Sequence, residues 1–315
     1  MRGPVAALTF VVLCCTVSVA GQRQVFRTGT AAMLVDVFVT EKGAPVKGLT
    51  PASFELRDND VPQVVTSVNY ERAPLSITLV LETGASPFGL TRLDRAVARV
   101  VEGLQADDRC ALITFGRRIT QVSGSLTGPV LIQRPPDDGP AGGDKFATND
   151  AVIAALAAGP SAGRRQVIVL FTTRPDSTSF MSWNDVQESA WRSGAMVQHI
   201  NASAMDLAIA QIAGRGGAPM PSGARGGGVA PPGQPGNDQV FTDALSLATG
   251  GSVRMAFPRD DLGTVFQNAI DDARMSYVLS YTPANVKPGG WHQVVVKVRR
   301  GEKYSVRARQ GYFGG

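Results

Sequence analysis

Cysteine, histidine and long apolar runs are all scarce in this 315-residue chain. Of its three cysteines, Cys14 and Cys15 are adjacent near the start and Cys110 stands alone. A chain left with only Cys110 has no intrachain disulfide framework. Cys110 lies in Cys110-Ala111-Leu112-Ile113-Thr114-Phe115 and reads as a small buried hydrophobe rather than a nucleophilic thiol. The two histidines, His199 and His292, belong to no His-Glu-x-x-His or other zinc spacing. Neither Gly-x-Ser-x-Gly nor the phosphate-cradling Gly-x-x-x-x-Gly-Lys-Ser/Thr occurs. His199 alternates with Val197 on an apolar stretch, where a structural role is expected. Together these absences speak against an enzyme. The net charge is only +5, and the arginine pairs Arg117-Arg118, Arg164-Arg165 and Arg299-Arg300 are scattered. With no basic helix and no aromatic-interleaved basic patch, nucleic acid is not an expected partner.

The one long apolar stretch runs from Val5 to Val17, between Arg2 and the small residues Ser18-Val19-Ala20. A short positive start, an apolar centre and small residues before a cut are the marks of a secretory leader, expected here over residues 1–20. A bilayer core takes about 20 apolar residues, so this stretch is too short for an anchor and no membrane span is expected in the mature chain. Leu13 and Cys14 precede Cys15 where lipidation wants a small residue, which argues against a lipoprotein. The expected location is outside the cytoplasm, periplasmic or extracellular.

What is present is a change of pattern along the chain. Residues 21–72 form an N-terminal β module: Met33–Thr40 is β-branched, Lys42-Gly43-Ala44-Pro45 is a turn, and Phe54–Asp60 and Val64–Val68 are strand-like. From 73 to 275 strands alternate with amphipathic helices. Leu75–Leu81 and Val167–Phe171 are nearly continuous apolar runs, as in strands buried on both faces, and Met196–Ile200 is a third. Leu93, Ala96, Val97, Val100, Val101 and Leu104 recur at helical spacing behind a Thr91/Asp94 capping box. Leu262, Val265, Phe266, Ala269, Ile270 and Ala273 do the same. This alternation predicts an α/β fold with a mostly parallel central sheet and helices on both faces. Residues 213–238 are rich in glycine and proline and are expected to be a disordered loop, with a shorter one at 134–145. Residues 276–315 return to β and are expected to pack with the N-terminal module, since a hairpin alone is marginal in water.

The run Leu75-Ser-Ile-Thr-Leu-Val-Leu-Glu-Thr-Gly-Ala-Ser86 resembles the first strand and metal loop of von Willebrand factor type A domains. Asp108–Gly116, Thr148–Val152 and Gln166–Thr172 match further segments in order. The flanks, Val37–Thr40 with Gly43, Pro45–Thr50, Phe54 and Asp58, then Tyr277–Pro283 and Arg307–Phe313, resemble the VWFA-related secreted proteins abundant in acidobacteria. The resemblance implies a Rossmann-type A domain whose sheet presents a metal-ion-dependent adhesion site at its carboxyl end. There, hydroxyls and aspartates hold Mg²⁺ and a partner's carboxylate completes the shell.

The pattern is degenerate in this chain. Glu82 stands in place of the first aspartate, Gly84 removes a hydroxyl, and Ser86 survives. Phe146 takes the place of the coordinating threonine, for which Thr148 could substitute, and Thr173-Arg174 replaces Asp-Gly. Glu82, Ser86, Thr148 and Thr173 thus mark a degenerate rim beside a cation, a poor set for Mg²⁺, which yields its water only to near-octahedral oxygen ligands. The expected function is a non-enzymatic, metal-free module binding a protein or extracellular polymer through loops at the carboxyl end of the sheet. Two alternatives stay open: cell-envelope assembly through the β flanks, and Mg²⁺-dependent adhesion should the site still bind.

Overall fold

The computed structural model describes residues 32–83, 87–126, 128, 132, 146–159, 163–203, 238–299 and 303–314. The expected leader at 1–20, Ser86, and the expected loops at 134–145 and, but for its last residue, 213–238 lie outside them. In chain order the elements are β1 (Met33–Glu41), β2 (Ala44–Pro45), β3 (Phe54–Asp58), β4 (Val61–Gln63) and β5 (Val65–Arg72). Next come β6 (Leu75–Glu82), α1 (Pro87–Glu102), β7 (Arg109–Phe115), β8 (Ile119–Ser123), α2 (Thr148–Ala157), β9 (Arg165–Thr172), α3 (Trp183–Ser193) and β10 (Met196–Asn201). Then follow α4 (Asp238–Ala248), β11 (Val253–Met255), α5 (Leu262–Asp271), β12 (Met275–Tyr281), β13 (Gly290–Val298), β14 (Ser305–Ala308) and β15 (Gly311–Gly314).

A six-stranded sheet has the order β11-β10-β9-β6-β7-β8. All its ladders are parallel except that of β7 with the edge strand β8. Strand alternation sorts its side chains into two apolar layers. Ile77, Leu79, Leu81, Leu112, Val167, Val169 and Phe171 face α1 and α5, which contribute Leu93, Val97, Val100, Phe266 and Ile270. Val80, Ile113, Phe115, Ile168 and Leu170 face Ala151, Val152 and Ala155 of α2, Val186 and Ala190 of α3, and Leu245 of α4. With a helix layer on each face the central strands have no solvent side, hence their nearly continuous apolar sequence, interrupted by buried polar residues such as Thr78, Gln198 and His199. Helix α1 includes Pro87, so Thr91 lies within it and is no cap. Asp94 instead accepts a hydrogen bond from Ile132 N–H at 2.8 Å. A capping box does start α3, where Ser182 and Asp185 bond reciprocally, and Gly194 ends that helix at φ 73°.

The remaining strands, within 33–72 and 275–314, form two antiparallel sheets. One is five-stranded, β14-β1-β12-β5 with β2 beside β1, and the other is β15-β13-β3-β4. Strand β1 pairs with β12 and β3 with β13, joining segments more than two hundred positions apart. Between the sheets Val35, Val37, Phe54, Leu56, Tyr277, Leu279, Tyr281 and Val294 make a third core. Inside it Asp58 accepts from Tyr281 OH at 2.9 Å and Tyr312 OH at 2.8 Å, and its other oxygen meets His292 Nδ1 at 2.8 Å. A fully buried carboxylate is tolerable only with such partners, and these come from three of the strand segments.

Ion pairs fasten this core to the amino edge of the parallel sheet. Arg165, at the start of β9, binds Asp36 of β1 and the Ala273 carbonyl, and its guanidinium lies over Phe38. Arg274 pairs through both terminal nitrogens with Asp108, which also accepts from Leu75 N–H at the start of β6. The β sheets therefore abut the end of the parallel sheet opposite its carboxyl edge.

Candidate functional site

Parallel pairing brings the ends of β6, β7, β9, β10 and β11 to one carboxyl edge, where Glu82, Phe115, Thr172, Asn201 and Met255 stand. Thr83, just past β6, donates from both its N–H (2.8 Å) and its hydroxyl (3.0 Å) to the Phe115 carbonyl, extending the pairing of β6 with β7. Glu82 is fully buried. Its Oε2 accepts from Thr173 N–H at 2.6 Å and Arg174 N–H at 3.2 Å, and its Oε1 from the Thr173 hydroxyl. Burial pushes the carboxyl up to about 7, against the pull of these donors and of the Arg174 charge. Glu82 and Thr173 thus do meet, but each spends its polar atoms on the other.

Thr148, the first residue of α2, is buried, and its hydroxyl has no partner among the described residues. Its hydroxyl is therefore hydrogen-bonded to neither Glu82 nor Thr173, and Ser86 lies outside the described residues. Phe146 is buried beneath Arg174, whose guanidinium carbon sits 5.2 Å from the ring centroid, in a cation–π contact.

Asp176 turns away from Glu82. It accepts from Asn149 N–H at 2.9 Å, capping α2, and from the Ser179 hydroxyl at 2.5 Å. Asp150 answers from the first turn of α2, taking Met181 N–H at 2.9 Å and Phe180 N–H at 3.1 Å. These reciprocal bonds pin the loop between β9 and α3, yet they leave the Phe180 side chain 99% exposed. The Asp-x-x-Ser spacing of 176–179 was the only sequence signal for this brace. Met181 and Ile119 are also partly exposed nearby, as are Met255 and Phe257 at the end of β11. Between the 117–119 turn and Phe180 lies a groove of about 390 Å³.

Sequence reasoning also missed a second constellation. His199 Nδ1 lies 2.6 Å from Asp243 Oδ1, and its Nε2 2.8 Å from Thr172 Oγ1. With the carboxylate taking the Nδ1 proton, Nε2 accepts from the threonine. The order acid, imidazole, hydroxyl is that of a hydrolase triad, but Thr172 is 1% exposed. Among the described residues no group of three or more His, Cys, Asp or Glu side chains could hold a metal ion, and no helix is long and apolar enough to cross a membrane.

No family model and no curated protein matches the sequence. Solved structures do match in fold. Proximal thread matrix protein 1 from the mussel byssus is 9% identical over 65% of this chain and 49% of its own, with a TM-score of 0.43. The ArnB paralog VWA2 from Sulfolobus acidocaldarius is 9% identical over 90% of this chain and 75% of its own, TM-score 0.40. A von Willebrand factor type A protein from Catenulispora acidiphila is 10% identical over 91% and 74%, TM-score 0.40. The chain spans about half the length of the mussel protein it matches.

Proposed function

We propose that this chain is an exported binding module of von Willebrand factor A type that docks a protein partner on the carboxyl edge of its parallel sheet, without metal and without catalysis. The observation that carries the reading is the braced loop holding Phe180 fully in water. A large aromatic side chain held out by a rigid backbone gives little to the fold and is the usual material of a binding hot spot. The chemically capable groups support the same reading by being spent. Glu82 has three protein donors in place of a cation, and Thr172 is closed to substrate. The leader at 1–20 and a periplasmic or extracellular location belong to the same proposal.

Metal independence has a direct test. A ligand at one hundred times its dissociation constant stabilises a folded protein by about 2.7 kcal/mol, which a melting curve detects easily. Millimolar Mg²⁺ or Mn²⁺ is expected to leave the melting temperature unchanged, and a rise of several degrees that vanishes in Glu82→Ala would refute it. For the docking role, the immobilised protein should capture its partner from native extracellular or envelope extract equally well in a chelator, and Phe180→Ser should abolish that capture. Undiminished capture by the variant would move the site elsewhere.

A further inference from the structure

We infer that the groove beside Phe180 receives an acidic peptide segment of the partner, its carboxylates on Arg117 and Arg118 and its apolar side chains on Phe180 and Ile119. This rests on the docking role proposed above and names the chemistry of what docks. Arg117, Arg118, Ile119, Ala147, Asp150 and Phe180 line the groove. Both arginines are exposed, and neither is paired with a carboxylate among the described residues. The one carboxylate in the lining, Asp150, has each oxygen engaged by a backbone N–H, of Met181 and of Phe180. Among the described residues the groove therefore has an excess of positive charge, with two guanidiniums that no carboxylate holds, and a guanidinium takes a carboxylate through two parallel hydrogen bonds.

The apolar wall decides between polyanions. A sulfated or phosphorylated polymer would use the arginines and leave Phe180 idle. A peptide with acidic and apolar residues interleaved uses both, because consecutive side chains of an extended strand point to opposite sides.

The test uses the mature protein and a fluorescein-labelled octapeptide alternating Glu with Leu and Phe, followed by fluorescence anisotropy, with the Lys-for-Glu peptide and heparin as competing probes. Saturable binding of the acidic peptide that weakens as salt rises is expected. It should fall by about tenfold or more in R117E/R118E, equivalent to 1.4 kcal/mol or more, and that variant should gain affinity for the lysine peptide. Phe180→Ser should weaken the acidic peptide severalfold. Unchanged melting temperatures would establish that the variants are folded, and R117Q/R118Q gives a second reading should the reversal disturb the turn. No saturable binding, equal binding by R117E/R118E, or heparin binding in place of the peptide would each overturn the inference. If partner capture still depended on Phe180 in those cases, the docking role would stand with a different chemistry. Loss of that dependence would remove the docking role itself.

Discussion

Glu82 is where one residue carries a measurable consequence. In the unfolded chain its carboxyl ionises near the ordinary value of 4.5, and in the folded protein burial holds it near 7. Between those values only the unfolded state gives up its proton, so stability falls as pH rises through the window and levels off above it. The drop is about 3 kcal/mol. Melting the protein and Glu82→Gln at pH 5 and pH 8 should show a loss in the wild type that the variant largely lacks; parallel losses would mean that Glu82 is ionised throughout. The sequence made Glu82 and Thr173 visible, because they stand at positions where the resembled family carries other residues. It could not show that they bond to each other, or that Asp176 serves α2, because such pairings are fixed only when the loop after β9 takes its path. His199 was equally opaque: its partners lie 27 and 44 positions away.

At the scale of elements, the buried pair Asp108–Arg274 joins the start of the parallel sheet to the strand that leaves it. Asp108 also holds the N–H groups of Leu75 and Gln105, so it sets the entry to β6 and the turn before β7. Asp108→Ala should cost up to about 3–5 kcal/mol, because the buried guanidinium of Arg274 loses its two-pronged partner and keeps only Asp271, whereas the D108L/R274M double variant, which removes both charges, should cost much less. Chemical denaturation distinguishes the two; equal losses would show that the backbone bonds of Asp108 dominate. Elements with strong periodicity were legible, since Leu75–Leu81 and the apolar stripes of α1 and α5 announce themselves by spacing alone. Short edge strands were not. β8 and β11 have few residues and mixed polarity, and they exist because a longer neighbour offers its free edge.

In the whole molecule, the described residues between 32 and 314 make one compact unit. The seam is visible at Gly250, while its neighbour Gly251 packs within the parallel-sheet side, on β10. A Cβ on Gly250 would meet Arg309 N at 2.9 Å, and one on Gly251 would meet the Val197 carbonyl oxygen at 1.9 Å. Beside them Gln310 N–H donates to the Ala248 carbonyl at 2.9 Å, and Trp191 of α3 stacks on Trp291 of β13 at 3.8 Å. Calorimetry should therefore record a single cooperative transition; two separated transitions would show that the β sheets and the parallel sheet melt independently. The Asp58 cluster has a further consequence, in time rather than in space. Its partners come from positions 281, 292 and 312, and β1 lacks β12 and β14, and β3 lacks β13, until nearly the whole chain is at hand. Contacts of such long sequence separation form slowly. Throughout that interval the unpaired edges are open to other chains, so the yield of folded protein should fall as refolding concentration rises.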